Sequence, residues 1–307
     1  MGQGSDLEKQ SDFGKDQPRN SQLRRTWWSA PLILGAFGLL VWLERRHPLR
    51  REVEPKLRHG VRNLAVAGLA AVALQLTENP IASRLSALVE RRKLGLLKLL
   101  RLPVWLETAL ALVLLDYSLY LWHVLTHKVP FLWRFHIVHH VDLDLDASTA
   151  LRFHFGELAL SAPWRAGQIV VIGISPLAFS IWQTLLLVSI LFHHSNVRLP
   201  IETERRLNRL IVTPRMHGIH HSIVREETNS NWSSGLTVWD QLHNTLRLNV
   251  PQDEITIGVP AYREPEDVEL LKTLAIPFGE QRPTQRLPDD GKPRREALPV
   301  PPDHLLV

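Results

Sequence analysis

The feature that most constrains the fold is a run of 27 residues, 166–192, that contains no charged side chain. A bilayer-spanning helix needs about 20 mostly apolar residues, so this run is long enough to cross a membrane. Gly173 and Pro176 interrupt the run, and a proline cannot continue the hydrogen-bond ladder of a helix. We therefore expect either one kinked span or a re-entrant hairpin.

Three other segments are apolar enough to enter a membrane. Residues 27–43 are 17 residues without a charge, residues 63–77 form a shorter alanine-rich stretch, and residues 102–122 are apolar apart from two carboxylates. Residues 81–102 mix apolar side chains with six basic ones, a pattern typical of amphipathic helices that lie at a membrane surface. The sequence predicts an all-α integral membrane protein with about four membrane helices.

The distribution of basic residues predicts the orientation of the chain. The stretch 45–62, between the first two apolar segments, is rich in arginine, and short loops of that kind stay in the cytoplasm. The basic segment 84–101 then falls on the opposite side of the membrane. This conflicts with the same rule unless the second apolar segment is shallow or re-entrant.

Composition excludes several kinds of chemistry. The chain has no cysteine, which excludes disulfides, thiolate metal ligands and iron–sulfur clusters. The net charge is +5, and the basic residues accompany apolar runs rather than forming a basic helix with exposed aromatic residues. We expect contact with anionic lipid headgroups and no binding of nucleic acid.

Eight of the 15 histidines lie in three short clusters. One has the spacing H-x-x-x-H and the other two share the spacing H-x-x-H-H; the clusters comprise His123 and His127, then His136, His139 and His140, and finally His217, His220 and His221. Residues three and four apart share one face of a helix, so each cluster can direct imidazoles at one point. Histidines also gather at membrane surfaces as headgroup-level residues, but the repeated spacing favours a metal site.

The number of imidazoles indicates two metal ions. A structural zinc takes four ligands and a catalytic zinc about three, so eight imidazoles exceed what one ion binds. Because the chain has no thiolate and few carboxylates near the clusters, two iron ions are the first choice. Zinc is a possible substitute, since it ranks above ferrous iron in affinity for such ligands.

The ordered set of motifs resembles the fatty acid hydroxylase/sterol desaturase superfamily. The resemblance covers about residues 105–250, and it is carried by the runs 116–123, 129–136, 149–154, 194–198 and 213–221 together with His127, His139 and His140. It implies an oxygen-dependent membrane enzyme with two histidine-bound iron ions (Fe2+/Fe3+) and O2 as co-substrate. It further implies that the eight clustered histidines are metal ligands, that His194 is a ninth, and that the adjacent His193 is not equivalent.

Three more residues are candidates for supporting the ligands. His154 and Glu157 belong to a run that matches an R-x-H-x-x-E element of the family; His154 either binds or orients a metal ligand, or bonds a backbone carbonyl at the membrane surface. Asp116 lies two helical turns before His123 and could accept the spare N–H of a ligand, or pair with an arginine. His243 either supplies a polar group near the metals or lies on the surface, and the surface is favoured; we expect His59 in solvent or among headgroups.

The resemblance implies that the substrate is a membrane lipid, either a fatty acyl chain or a sterol-like molecule. Hydroxylation of an unactivated C–H bond is favoured, and desaturation is the alternative within the superfamily. Two alternatives from other classes are a zinc-dependent membrane hydrolase and a catalytically silent metal-binding scaffold. Because the chain lacks flavin and nicotinamide motifs, the electrons must come from an external donor, such as a cytochrome b5-like protein, a ferredoxin or a reductase.

The chain divides into five regions on these grounds. We expect a disordered tail at 1–26, membrane helices and an interfacial helix at 27–102, a fatty acid hydroxylase-like catalytic domain at 103–250, a cap at 251–280 and a proline-rich disordered tail at 281–307. The metal site should lie in a cytosolic helical cap, and a bacterial inner membrane is the expected location. The sequence does not specify an oligomeric state.

Overall fold

The computed structural model describes residues 28–284, 286–287, 291 and 293–294. The expected tail at 1–26 and most of the expected tail at 281–307 lie outside these residues. The described residues are helical and contain no β-strand, only four isolated bridges. The all-α class is therefore confirmed.

Eight helices lie before residue 195 of the described chain, in the order α1 (Ser29–Arg46), α2 (Lys56–Leu76), α3 (Glu78–Arg92), α4 (Leu96–Leu99), α5 (Val104–Lys128), α6 (Pro130–His140), α7 (Phe155–Gln168) and α8 (Pro176–His194). Shorter helices follow: α9 (Ile201–Leu207), α10 (Pro214–His220), α11 (Arg225–Thr228), α12 (Val238–Leu242) and α13 (Leu270–Ala275). A 3-10 turn (Thr149–Leu151) precedes α7, a π-helical turn (Ile169–Gly173) follows it, and a second 3-10 turn (Ile276–Phe278) follows α13.

Three segments of the described chain are long and apolar enough to cross a membrane: Lys56–Leu99, Val104–Lys128 and Pro176–His194. The sequence predicted about four spans. The expected first span is the helix α1, which ends in Glu44-Arg45-Arg46 and is not among the three. Large apolar side chains such as Leu76 and Trp105 are more than 70% exposed, as expected of surfaces that contact lipid.

The uncharged run 166–192 forms a hairpin rather than one kinked span. α7 runs away from the histidine clusters, and its π-helical turn ends at Gly173, which has a positive φ of 89°. Ser175 then caps α8 by accepting a hydrogen bond from the backbone N–H of Ala178, and Pro176 occupies the first helical position. α8 returns to the clusters, so both arms of the hairpin have one end at the histidines.

The turn of this hairpin packs closely on the loop before α4. Gly95 and Gly173 both have a positive φ, and a Cβ atom on Gly95 would lie 2.4 Å from the Cα atom of Gly173. Only glycine fits such a backbone approach without strain. The contact ties the amphipathic segment to the hairpin turn, at the end of the molecule away from the histidines.

Helix α3 and the short α4 form the amphipathic segment that the sequence predicts. α3 buries Glu78, Ala82, Ser86 and Val89 on one face, and this face packs against α7 and the π-helical turn. Ala82 and Val89 belong to an apolar core shared with α5 and α8. The basic side chains of α3 lie mostly on its other face.

Candidate metal centre

Four helices bring the histidine clusters together. The last two turns of α5 carry His123 and His127; at Val129-Pro130 the chain turns back, so that α6 packs against α5. Proline occupies the first position of α6, α8 and α10, where its missing N–H costs no hydrogen bond. These prolines set the starts of three of the four helices that supply the histidines.

Eight histidines form two groups of four. The first group is His123, His127, His140 and His220, and the second is His139, His194, His217 and His221; within each group the candidate ligand nitrogens all lie within 4.8 Å of one another. The first group draws on three clusters, and the second on two clusters and the end of α8. No single cluster builds a group by itself.

The first group has the orientation that metal sites require. The ring nitrogen Nδ1 of His123 donates to the carbonyl of Trp232 at 2.7 Å, and Nδ1 of His220 donates to the carbonyl of Ser230 at 2.8 Å. These bonds fix the tautomer of each ring and leave its Nε2 atom free to bind a metal ion. The Nε2 atoms of His127, His140 and His220 are buried and have no hydrogen-bond partner among the described residues.

The second group is packed more tightly. Its Nε2 atoms form a chain of close contacts: His139 to His194 at 3.0 Å, His194 to His217 at 3.0 Å, and His217 to His221 at 3.1 Å. A tetrahedral ion roughly 2.0–2.1 Å from its nitrogen ligands holds those ligands about 3.3 Å apart. The observed spacing fits a set of nitrogens that converge on a metal ion.

The electrostatic environment keeps these imidazoles neutral. Burial, followed by the neighbouring imidazoles, lowers the pKa of His139, His140, His217 and His221 well below the usual value. Burial likewise lowers the pKa of His220 to about 3. Neutral imidazole is the form that binds metal, so the donor set fits two metal ions.

His136 lies between the two groups and belongs to neither. Its ring centroid is 4.9 Å from that of His127 and 5.4 Å from that of His139. Its Nδ1 atom bonds the carboxylate of Glu157 at 2.8 Å, and its buried Nε2 has no partner among the described residues. The sequence placed Glu157 beside a ligand, and the structure puts it in contact with His136.

Among the residues that the structure describes, Asp116 bonds neither a histidine nor an arginine, although the sequence suggested either contact. Its Oδ2 accepts hydrogen bonds from Trp239 Nε1 at 2.7 Å and from the backbone N–H of Leu236 at 2.9 Å. The chain between α10 and α12 covers the face of α5 that carries Asp116. It occupies the position where we expected a ligand histidine. Asp116 therefore holds the loop that contains Trp232, the partner of His123.

His154 lies outside both histidine groups. Its Nδ1 accepts the N–H of Gly156 as the cap of α7, and its Nε2 lies 3.3 Å from the carbonyl of Leu274. Its aromatic neighbours are phenylalanines. His154 therefore matches the alternative in which it bonds a backbone carbonyl, because the capping geometry turns the ring away from the clusters.

His243 is exposed and stacks on Tyr120, whereas His193 is buried with its ring 4.1 Å from that of His217.

A charged network behind the second cluster was not foreseen. His59, which we expected in solvent, is 1% exposed and bonds Asp142 at 2.9 Å and Asp146 at 3.3 Å. Arg62 and Arg152 lie 3.0 Å and 3.8 Å from Asp142. Burial alone would raise the pKa of Asp142, but His59 and the two arginines hold it well below its usual range.

The network joins α2 to the chain that follows α6, and its only sequence signal is the alternation Asp142-Leu-Asp-Leu-Asp146. Glu54, His59 and Asp142 also come within 4.8 Å of one another, as metal ligands do. Arg62 bonds both carboxylates, so the cation in this third group is an arginine of the protein itself.

Asp240, which is fully buried, supports the other side of the histidine centre by accepting hydrogen bonds from the backbone N–H groups of Trp232 and Ser233.

A cavity of about 420 Å³ leads from the histidines into the apolar part of the molecule. His123, His136, His139, His193, His194 and His217 line one end. Apolar side chains, most of them on α2, α5 and α8, line most of the remaining wall. A long apolar ligand in this cavity would place one of its carbons beside both histidine groups.

Comparison with known proteins identifies the part of the chain that carries this centre. Residues 108–245 match the family model described as fatty acid hydroxylase. These 138 of the 307 residues are similar to the fatty acid hydroxylase superfamily. The resemblance seen in the sequence is confirmed, and residues 108–245 include all nine predicted metal ligands.

Curated relatives match over the same part. An ornithine lipid hydroxylase of Rhizobium tropici is 33% identical over 159 residues, 51% of this chain and 46% of the relative. Human cholesterol 25-hydroxylase is 29% identical over 158 residues, 49% of this chain and 52% of the relative. Human alkylglycerol monooxygenase is 27% identical over 131 residues, 43% of this chain and 28% of the relative. The chain thus spans about half the length of these relatives or less, and no solved structure matches it with significance.

Proposed function

We propose that this chain is a member of the fatty acid hydroxylase superfamily and a membrane-bound, O2-dependent enzyme that hydroxylates an unactivated C–H bond of a lipid. The observation that carries the proposal is the meeting of two four-histidine groups with the end of an apolar cavity of about 420 Å³. The names of the relatives, which are lipid hydroxylases and a monooxygenase, support the same reaction class.

We assign one iron ion to each group of four histidines, with His136 available to either. The donor set is nitrogen only, which suits iron and also admits zinc. When bound, the two irons supply the activation of dioxygen that attack on an unactivated C–H bond requires. The nine predicted ligands remain His123, His127, His136, His139, His140, His194, His217, His220 and His221.

The protein contributes orientation and the exclusion of water. The apolar wall of the cavity holds the lipid so that one carbon reaches the histidines. Carbonyl groups of Trp232 and Ser230 hold two imidazoles in one tautomer, and Glu157 does the same for His136. The burial of the other imidazoles keeps bulk water from the reacting carbon.

The source of the oxygen atom tests the proposal. The chain would be expressed with a reductase system under oxygen-18 gas, and its membrane lipids analysed by mass spectrometry. Incorporation of one labelled atom that disappears in His139→Ala supports hydroxylation. Loss of two hydrogens without label indicates a desaturase, turnover that needs no oxygen and only zinc indicates a hydrolase, and an unchanged lipid profile in His139→Ala indicates a silent scaffold.

An external electron donor is part of the proposal, and a second cavity offers it a contact site. This cavity, of about 160 Å³, is lined by His127, Trp133, Lys128 and Arg225. The Trp133 ring is half-buried, with its centroid 4.9 Å from that of His127 and 5.5 Å from that of His140. A donor with an acidic surface would meet two exposed cations and an aromatic side chain that touches the first histidine group.

We place the histidine end in the cytoplasm, with the first apolar helix α1 as a fourth membrane segment and the metal centre in a helical cap. The arginine-rich chain between α1 and α2 lies at this end, since Leu49 and Arg50 bond Asn196 just after α8. The cap at 251–280 packs on α6 through the turn Ile276–Phe278.

Labelling of single cysteines tests this orientation, since the chain has no cysteine of its own. An impermeant maleimide added to intact cells should react with Arg84→Cys and not with Glu226→Cys. Labelling of Glu226→Cys alone would reverse the orientation.

A further inference from the structure

A buried polar cluster lines the large cavity at a distance from the histidines. Its members are Glu78, Ser161, Arg165 and Gln168, each at most 8% exposed. Glu78 accepts hydrogen bonds from Arg165 Nε at 3.1 Å and from Ser161 Oγ at 3.0 Å. Arg165 Nη1 also bonds the side-chain oxygen of Gln168. Polar side chains at this depth of an otherwise apolar region call for a partner or a function.

Three members of the cluster face the cavity, whereas Gln168 bonds Ser118 of α5. Glu78, Ser161, Arg165 and Trp182 all line the cavity wall. The guanidinium carbon of Arg165 lies 4.3 Å from the ring centroid of Trp182, which holds the cation in place. Among the described residues, Arg165 Nη2 has no hydrogen-bond acceptor. The N–H groups of Arg165 Nη2 are therefore available to a molecule bound in the cavity.

The charge of the cluster indicates what kind of group it binds. Glu78 and Arg165 form an ion pair at 3.1 Å, so the cluster carries no net charge. A carboxylate or phosphate there would lie next to the Glu78 carboxylate with no excess cation to offset it. A hydroxyl group fits, because it can accept from Arg165 Nη2 and donate to Glu78 or Ser161.

The helix α7 sets the distance between this cluster and the histidines. Glu157, which bonds His136, and Arg165 are eight residues apart on the same helix. At about 1.5 Å of rise per residue, the separation is roughly 12 Å. A hydroxyl bound at Arg165 would therefore place a carbon on the order of ten carbon–carbon bonds away beside the histidine groups.

We propose that Glu78, Ser161 and Arg165 bind the hydroxyl group of a lipid alcohol whose apolar body fills the cavity. The cluster selects an alcohol over a fatty acid or an alkane, and it fixes which carbon reaches the metal centre. The role in positioning the reacting carbon rests on the proposed function, whereas the binding of the alcohol does not. The same chemistry covers a long-chain alcohol and a ring-fused one such as a sterol.

Binding of three probes with the same chain length tests this assignment. 1-Hexadecanol, hexadecane and hexadecanoic acid would be titrated as mole fractions into nanodiscs that contain the metal-loaded full chain without reductant, and affinity would be taken from the shift in unfolding midpoint. We expect the alcohol to bind about tenfold more tightly than the alkane. Glu78→Gln combined with Arg165→Gln should remove this difference and leave alkane binding unchanged. Equal binding of alcohol and alkane to the unaltered chain would overturn the proposal, as would tightest binding of the acid.

Two further variants keep the outcome decisive. Ser161→Ala retains the ion pair, so it should fold normally and still reduce the preference for the alcohol several-fold; a full preference in this variant contradicts the proposal even if the double variant does not fold. Lys98→Gln combined with Glu107→Gln removes a comparable ion pair that does not line the cavity, and it should leave the preference unchanged. Selective binding of the alcohol without any oxygen-18 incorporation would refute the proposed reaction while leaving this binding site in place.

Discussion

His136 differs from the other candidate ligands in the group that orients it. Its Nδ1 atom bonds the Glu157 carboxylate at 2.8 Å, whereas His123, His194 and His220 donate Nδ1 to backbone carbonyls. A carboxylate increases the basicity of the imidazole more than a carbonyl does, and hence its strength as a ligand. The position between the two histidine groups makes this residue sensitive to loss of Glu157.

We predict that Glu157→Ala lowers metal affinity about 10- to 100-fold, because His136 loses the partner that orients its ring. Metal content after dialysis against graded chelator concentrations would measure the change. Glu157→Gln should retain part of the affinity, since its amide oxygen can still accept the Nδ1 proton. The exposed Glu266→Ala serves as control. An unchanged chelator profile in Glu157→Ala would show that His136 does not need this contact.

Asp142 holds the charged network behind the second cluster. It is fully buried and bonds His59, Arg62 and Asn63, with Arg152 close by. The pKa of Asp142 is depressed, so its stabilising contribution is complete above about pH 4, the ordinary range of the carboxyl group. That contribution is lost only as the pH falls through the depressed pKa, in strong acid.

Asp142→Asn should destabilise the chain by about 3–5 kcal/mol, because it leaves buried cations without their counter-charge. The midpoint of thermal unfolding in detergent at pH 7 would report this loss. Asp253→Asn, at an exposed position, should leave the midpoint unchanged. Equal midpoints for the two variants would mean that the network contributes little to stability.

At the scale of elements, the hairpin of α7 and α8 sets the length and direction of the cavity. Gly173 and Pro176 predicted a break in the uncharged run, and the structure has the break there. The local sequence does not distinguish a kink from a reversal of the chain, because a glycine and a proline are compatible with both conformations. The choice depends on Gly95, 78 residues earlier in the chain, which packs against Gly173.

Gly95→Ala should destabilise the hairpin by at least about 2 kcal/mol, since a Cβ atom would meet the backbone of Gly173 at 2.4 Å in a left-handed conformation. Gly167→Ala is the matched control: it lies in α7 with no atom within 4 Å of the added carbon, and alanine favours the helix. Unfolding midpoints of the two variants should therefore move in opposite directions. A stable Gly95→Ala chain would contradict the close approach of these two turns.

At the scale of the whole molecule, the two cavities meet the histidines from different sides. The small one is lined by His127 and is bordered by Lys128 and Arg225, whereas the large one is lined by histidines of both groups and by apolar helices. This arrangement separates the proposed entry of electrons from the proposed binding of lipid. Each function can then be changed by mutation without the other.

Lys128→Glu combined with Arg225→Glu should lower kcat/KM for an acidic electron donor about tenfold or more at low salt, because both cations border the cavity at Trp133. Turnover at varied donor concentration and ionic strength would measure this, and the loss should shrink as salt screens the charges. Binding of the lipid probe should stay unchanged. Arg209→Glu alters an exposed arginine that does not line the cavity, so an equal loss there would exclude a local docking site.

The sequence by itself determined the helical class, the histidine spacing and the places where helices begin or break. Prolines 130, 176 and 214 start the helices that carry the histidines, and each signal is local because it acts through the backbone of its own residue. The family resemblance also followed from these local motifs. Contacts such as Asp142 with His59, or Asp116 with Trp239, join residues more than 80 positions apart and left no comparable signal.

Only the tertiary structure decided how the histidines are shared between the two groups. His139 and His140 are neighbours in the sequence, yet His140 joins His123, His127 and His220, whereas His139 joins the second group. Successive side chains of a helix point about 100° apart, since a turn contains 3.6 residues. The two H-x-x-H-H clusters therefore each contribute to both groups, and which group a histidine joins depends on the helix packed against it.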